Sequence, residues 1–267
     1  MFLFAPMDGV NNPTGNPARF RAFAPLPDIR HASPMIEFGH GTHVGLRRTR
    51  NEDTYYADAA LGLFLVADGM GGHLHGEVAS ALVRDSVVEL VSHGHGLAEA
   101  IHGANERLMA QLHDHGNALP MGSTIAALRL GDDDYEAAWV GDSRIYATGR
   151  ELRQISHDHS LVQALVEAGK LDPAHTARHP NRNVLTQALG VTAAAQLHIG
   201  MAHGRLLPGM GFLLCSDGLT EDLDAASIAR TVSRTDLAAQ ECVDQLLLGA
   251  LDRGGKDNIT AILVRSS

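Results

Sequence analysis

Apolar and polar positions along this chain fall into two alternating textures. Short apolar runs stand at 62–67, 123–130, 136–140, 211–216 and 259–264. Each is closed by glycine or aspartate, or entered from one, the pattern of buried strands bounded by turns. Helical periodicity lies between them. Ile101, Ala104, Leu108 and Leu112 recur at three- and four-residue steps and so share one helix face. The stretches 78–91 and 237–251 repeat that period. Two long helices follow one strand directly, and several strands then come in succession. That order is not strict strand–helix alternation, so it predicts α+β layers rather than a doubly wound sheet.

Before residue 36 neither period is present. Six of the ten prolines stand there: Pro6, Pro13, Pro17, Pro25, Pro27 and Pro34. Residues 1–35 read as a poorly ordered, proline-rich tail, and 36–267 as one domain. A length of 267 residues is ample for a sizeable core.

Charge changes the choice of partners. Lys and Arg total 21 against 31 Asp and Glu, a net charge of −10. A surface of that sign repels phosphate backbones and anionic membranes, which argues against both as partners. No run reaches the ~18–20 apolar residues that span a bilayer. The opening MFLFAPMDG lacks the basic region and apolar core of a signal peptide. Two cysteines, Cys215 and Cys242, make no disulfide framework. They fit a reducing cytoplasm, and Cys215 in the run FLLC reads as core.

The candidate chemistry is in the acids at strand ends. LFLVADGMGG ends an apolar run in Asp68-Gly69, and LLCSDGLTE ends one in Asp217-Gly218. Asp142 follows Trp139-Val140-Gly141, Asp257 precedes a final apolar run, and Glu52-Asp53 follow several arginines. One such acid is ordinarily a turn former or helix cap. Several in one chain, at mouths of rigid strands, gather like charges that are costly unless cations neutralise them. All-oxygen ligand sets suit magnesium and manganese. Glycines at 69, 71 and 72 let backbone approach a metal and leave room for substrate. A nucleotide loop does not fit. The third glycine of GxGxxG would fall on Leu74, and Gly71–Gly76 is followed by Glu77-Val78 instead of Lys and Ser or Thr.

Taken together, these blocks resemble the metal-dependent protein serine/threonine phosphatases of the PPM (type 2C) family in their compact bacterial form. The matching stretches are GLRRTRNED (45–53), DGMGGHLHGE (68–77), MGST (121–124), GDSR (141–144), DHS (158–160), NVLTQALG (183–190), SDGLT (216–220) and Asp257-Asn258. They stand in the family's order over roughly residues 38–265. The resemblance implies a four-layer α-β-β-α sandwich, with two central, mostly antiparallel sheets flanked by helix pairs.

It also implies two Mn2+ or Mg2+ ions between the sheets. Asp68 would bridge both, and the Gly69 carbonyl would hold one. Asp217 and Asp257 would hold the other, with Asp53 and Glu52 contacting it directly or through water. Asp142 matches the position that recruits a third, weaker metal. Arg48 aligns with the arginine that grips the substrate phosphate, and His73 with the histidine proposed as general acid. The segment from Ser160 to Arg182 would be a flap beside the site. Ser123 stands where Thr is common and Gln187 where Arg is common; neither belongs to the metal set.

A phosphate monoester is a dianion that repels hydroxide, and its uncatalysed hydrolysis is among the slowest reactions known. Two metals answer both obstacles, by activating a bridging water and by offsetting charge. Arginine adds a fork that binds two phosphate oxygens and stays charged. A histidine can protonate the departing serine or threonine alkoxide. The reading is a cytoplasmic, monomeric phosphatase acting on phosphoproteins and opposing a serine/threonine kinase. Two alternatives stand beside it: a catalytically silent phosphoprotein-binding module, and a phosphatase for small phosphate esters. At single residues, Arg48 could be a surface ion pair and His73 a solvated loop histidine. His157-Asp158-His159 could suggest zinc, but no third ligand stands nearby.

Overall fold

The computed structural model describes residues 35–71, 75–114 and 121–266. The proline-rich tail, apart from Met35, lies outside them, as does His73. The elements run β1 (Ile36–His43), β2 (Asp53–Asp58), β3 (Leu63–Met70), α1 (His75–Ser92) and α2 (Leu97–Asp114). Then come β4 (Gly122–Ser123), β5 (Ile125–Leu130), β6 (Asp134–Val140), β7 (Arg144–Thr148), β8 (Arg153–Gln154) and α3 (Leu161–Glu167). The chain closes with β9 (Gly200–Arg205), β10 (Gly211–Cys215), α4 (Asp217–Asp222), α5 (Ala225–Val232), α6 (Ala239–Asp252) and β11 (Ile259–Ser266).

The strands form two antiparallel sheets, ordered β1-β11-β10-β7-β8 and β2-β3-β5-β6-β9, with β4 paired to β3. Alternation along β3 shows how the layers are made, because successive side chains point to opposite faces. Leu63, Leu65 and Ala67 pack against α1 and α2, beside Val83, Val87, Ile101 and Leu108. Phe64 and Val66 turn the other way and meet Phe212, Leu214, Ile262 and Val264 of the facing sheet. That sheet's outer face, with Leu213 and Leu263, is covered by α4, α5 and α6 through Leu219, Ile228 and Leu246. The result is the expected four-layer α-β-β-α sandwich. The continuous apolar runs are strands buried on both faces, each large side chain contributing about 1.5–3 kcal/mol.

Every strand and helix read from an apolar run is present, with ends moved by a few residues. The strands not read from the sequence are β1, β2, β7, β8 and β9. They are edge strands, or short ones diluted by glycine and polar residues. Gly39 of β1 is crossed by α6 so closely that a Cβ would lie 2.4 Å from the Gln240 backbone. Gln240 then seals the free edge: its Oε1 accepts from His40 N–H and its Nε2 donates to His40 C=O. Gly200 of β9 lies under the Trp139 ring, where a Cβ would come within 2.2 Å. Such positions are chosen by tertiary contact, which an apolar pattern does not register. No helix among the described residues is long and apolar enough to cross a membrane.

Candidate active site

The acids converge because both sheets deliver strand ends to one place. Asp53 opens β2 and is the cross-strand partner of Asp68 near the end of β3. Asp142 follows β6, Asp217 begins α4 directly after β10, and Asp257 stands two residues before β11, the neighbour of β10. A cavity of about 510 Å3 is lined by Arg48, Glu52, Asp68, Gly69, Asp142, Asp217 and Asp257. Seven of the nine residues singled out in the sequence therefore share one cavity. His73 lies outside the described residues, and Asp53 does not line the cavity.

Asp53 is set behind Asp68. Its Oδ2 accepts from Ser216 Oγ and Thr260 Oγ1, both at 2.7 Å. Its Oδ1 is buried with no hydrogen-bond donor. Burial pushes the Asp53 carboxyl up to about 6 despite those two hydroxyls, with the Asp257 charge adding to it. Asp68 and Asp217 are driven well above the ordinary carboxylate range. Burial comes first, followed by repulsion from Asp53, Asp217, Asp142 and Asp257 on Asp68, and from Asp142, Asp257 and Glu221 on Asp217. Asp142 is raised to about 6 by burial and by the Asp158 charge, against the pull of Arg144. Like-charged buried carboxylates of this kind call for cations.

Arg48 is the cavity's sole cationic side chain among the described residues. It sits in the β1–β2 turn, 54% exposed, and its Nη2 donates to Asp257 Oδ2 at 2.6 Å. That hydrogen bond raises the Arg48 guanidinium above its ordinary value. The turn itself is pinned by Asn258. Its Nδ2 donates to the Val44 and Arg50 carbonyls, and its Oδ1 accepts from Glu52 N–H, all at 2.8–2.9 Å. Asn258 thus aims both Arg48 and Glu52, a role the sequence pattern did not assign. Ser216, Thr260 and Thr124 were missed for the same reason. Thr124 Oγ1 accepts from Asp68 N–H at 3.0 Å, and Thr124 N–H donates to Asp68 C=O at 2.8 Å. Polar residues beside a charged one carry a signal only once the fold brings them together.

Several features fit divalent cations: the orphaned Asp53 oxygen, the raised carboxyls of Asp68 and Asp217, and an all-oxygen donor set. Gly69 adds a cradle. A Cβ there would lie 2.0 Å from the Gly76 carbonyl oxygen, so only glycine lets β3 and the start of α1 meet. Among the described residues, no three His, Cys, Asp or Glu side chains close on a single point as a ready ligand cage. The acids ring the cavity instead. In the His157-Asp158-His159 stretch, Asp158 accepts from Arg144 Nη2 at 2.6 Å. Cys215 is fully buried and its thiol is pushed up to about 12, chiefly by burial, which makes it core.

A four-layer sandwich whose sheets open onto an acid-lined cavity, with one arginine at its mouth, defines the class of metal-dependent protein phosphatases. The sequence matches the protein phosphatase 2C family over residues 41–252, and the chain belongs to that family. Protein phosphatase PhpP of Streptococcus pneumoniae is 34% identical over 236 residues, covering 84% of this chain and 94% of its own length. Serine/threonine protein phosphatase PstP of Mycobacterium tuberculosis is 33% identical over 236 residues. That match covers 86% of this chain but spans only 45% of the PstP relative's length. The solved catalytic domain of the serine/threonine protein phosphatase PstP, in complex with two manganese ions, superposes with a TM-score of 0.77 at 30% identity. It covers 86% of this chain and 98% of that one. The family match over residues 41–252 thus takes in the acid-lined cavity apart from Asp257 and Asn258.

Proposed function

We propose that the protein hydrolyses phosphoserine and phosphothreonine in proteins, in the cytoplasm and as a monomer, opposing a protein kinase. The observation that carries this is the convergence of Asp68, Asp217, Asp142 and Asp257 on one cavity whose single cationic side chain among the described residues is Arg48. When bound, two manganese or magnesium ions supply a water activated between them and positive charge to offset the phosphate.

The chain's own residues do the rest. Asp68 would serve both cations and the Gly69 carbonyl would hold one, while Asp217 and Asp257 would hold the other, with Glu52 and Asp53 contacting it directly or through water. Asp53 would act from behind, anchored by Ser216 and Thr260, and Asp142 would hold a third, weaker ion. Arg48 needs only to leave Asp257 to reach a phosphate at the cavity mouth. Its fork then binds the equatorial oxygens, where charge develops as the bond to the leaving oxygen stretches. His73 remains the proposed proton donor to that oxygen. The domain boundary near residue 36 belongs to the same reading.

The test is initial rates on a phosphothreonine peptide and on p-nitrophenyl phosphate, with manganese, magnesium or EDTA. Release should require metal and fall about 10³-fold or more in Asp217→Asn, since each tenfold is 1.36 kcal/mol of transition-state stabilisation. A folded wild-type protein inactive on both substrates with either metal would sink the proposal and favour a binding module. Equal efficiency on both substrates would favour small phosphate esters.

A further inference from the structure

His159 lies outside the acid cavity, yet it is bonded to both walls of it. Its N–H donates to the Gly141 carbonyl at 2.8 Å, and its Nδ1 accepts from Gly141 N–H at 3.3 Å. Its own carbonyl accepts from Thr186 N–H at 2.8 Å. Gly141 is the residue before Asp142 and has φ +101°, a conformation that favours glycine. A Cβ there would strike Thr124, the residue bonded to Asp68, at 2.6 Å. Thr186 belongs to the segment 183–192 that forms the opposite wall of the acid cavity. One residue therefore ties the turn carrying Asp142 to the 183–192 wall of the acid cavity.

The imidazole occupies a second cavity, of about 670 Å3, which also holds Trp139, His157 and His198. Thr186 lines both cavities and is the partition between them. Because Nδ1 accepts a backbone N–H, the ring is neutral with its proton on Nε2. Burial and the nearby His198 ring, with centroids 5.5 Å apart, favour that neutral form.

We propose that His159 is a positioning residue for the phosphatase reaction: its Nδ1 clamps the Gly141–Asp142 turn, and its backbone carries the Thr186 wall, so that Asp142 and the 183–192 segment hold a common geometry. This rests on the phosphatase reading for its kinetic consequence, but not for its structural one. The side-chain acceptor is the part that substitution can remove. Asparagine offers Oδ1 near the position of Nδ1. Alanine offers nothing, and glutamine places its oxygen one bond too far out.

The experiment compares wild type with His159→Asn, His159→Ala and His159→Gln in two readouts. Amide exchange at Gly141, measured by NMR in EDTA, should quicken about tenfold in the Ala and Gln variants and stay near wild type in Asn, while Thr186, whose bond is to the His159 backbone carbonyl, serves as the internal control. A lost net hydrogen bond has about that effect. Peptide kcat/KM in saturating manganese should fall about tenfold in Ala and Gln, with Asn within about threefold. Fluorescence of Trp139, whose Nε1 donates to the His157 carbonyl at 2.9 Å, reports whether each variant is folded at this corner. If Ala does not fold, Gln against Asn decides. Equal behaviour of Asn and Gln, or unchanged exchange at Gly141 in Ala and Gln, overturns the proposal. Wild type inactive on the peptide would defeat the phosphatase reading, while exchange would still judge His159.

Discussion

Two neighbouring cavities share Asp142 and Asp217 and use their other charges in opposite ways. The first, the acid cavity, has Arg48 alone against Asp68, Glu52 and Asp257. The second, beside the start of α3, holds Asp158 and Glu221 but also Arg144 and Arg182. Arg144 grips Asp158 through Nε and Nη2 at 2.6–3.1 Å, and Arg182 and Asn183 reach Glu221 at 3.5 and 2.8 Å. Acids with arginine partners hold the scaffold. Asp68 and Asp217, left without one, have carboxyls raised well above the ordinary range. The sequence Asp-Gly or Asp-His does not distinguish the two; the partner does.

The contrast can be broken most strongly at Arg48. Arg48→Ala should lower kcat/KM on a phosphothreonine peptide about 10²-fold, the cost of a removed transition-state donor. Lysine should recover only part, lacking the fork. Because the Arg48–Asp257 pair is half exposed, stability should change by less than about 1 kcal/mol. A large loss of stability with normal kinetics would place Arg48 with the scaffold arginines.

Arg144 should show the reverse. Its side chain is 32% exposed and that of Asp158 11%. Arg144→Met leaves Asp158 with Gln154 Nε2 as its remaining side-chain donor. A loss of about 2 kcal/mol, below the figure for fully buried pairs, should appear in the urea midpoint. An unchanged midpoint would remove Arg144 from the scaffold.

The smallest effect is the one with pH. Burial raises Asp53 and Asp142 to about 6, and Asp68 and Asp217 well above the carboxylate range. The folded chain thus holds protons that the unfolded chain releases near pH 4. The stability these groups contribute is complete below that pH and is lost as pH rises through 6 and beyond. In EDTA, Asp217→Asn should therefore gain a few degrees of Tm over wild type between pH 5 and pH 8. Manganese should reverse that order. A difference that stays flat with pH would show that Asp217 does not repel its neighbours.

The sequence by itself determined the apolar strands of both sheets and singled out the acids that the fold gathers at one cavity. Residues such as Phe64, Val66, Phe212 and Leu214 lie on strands buried on both faces, so they stand in unbroken apolar runs that announce themselves. Asp68, Asp142, Asp217 and Asp257 are legible because rigid strands end in them, in an order shared with a known family. Only the tertiary structure decided which acids are paired and what aims them. Asn258, Ser216, Thr260 and His159 act through hydrogen bonds to residues distant in the chain or to backbone, and such bonds leave no periodic trace. Asp53 moved for the same reason: next to Glu52 in sequence, it is turned behind Asp68 because Ser216 and Thr260, far along the chain, supply its donors. The edge strands β1 and β9 depended on Gln240 and Trp139 crossing glycines. Burial on two faces writes itself into composition; close approach between distant segments does not.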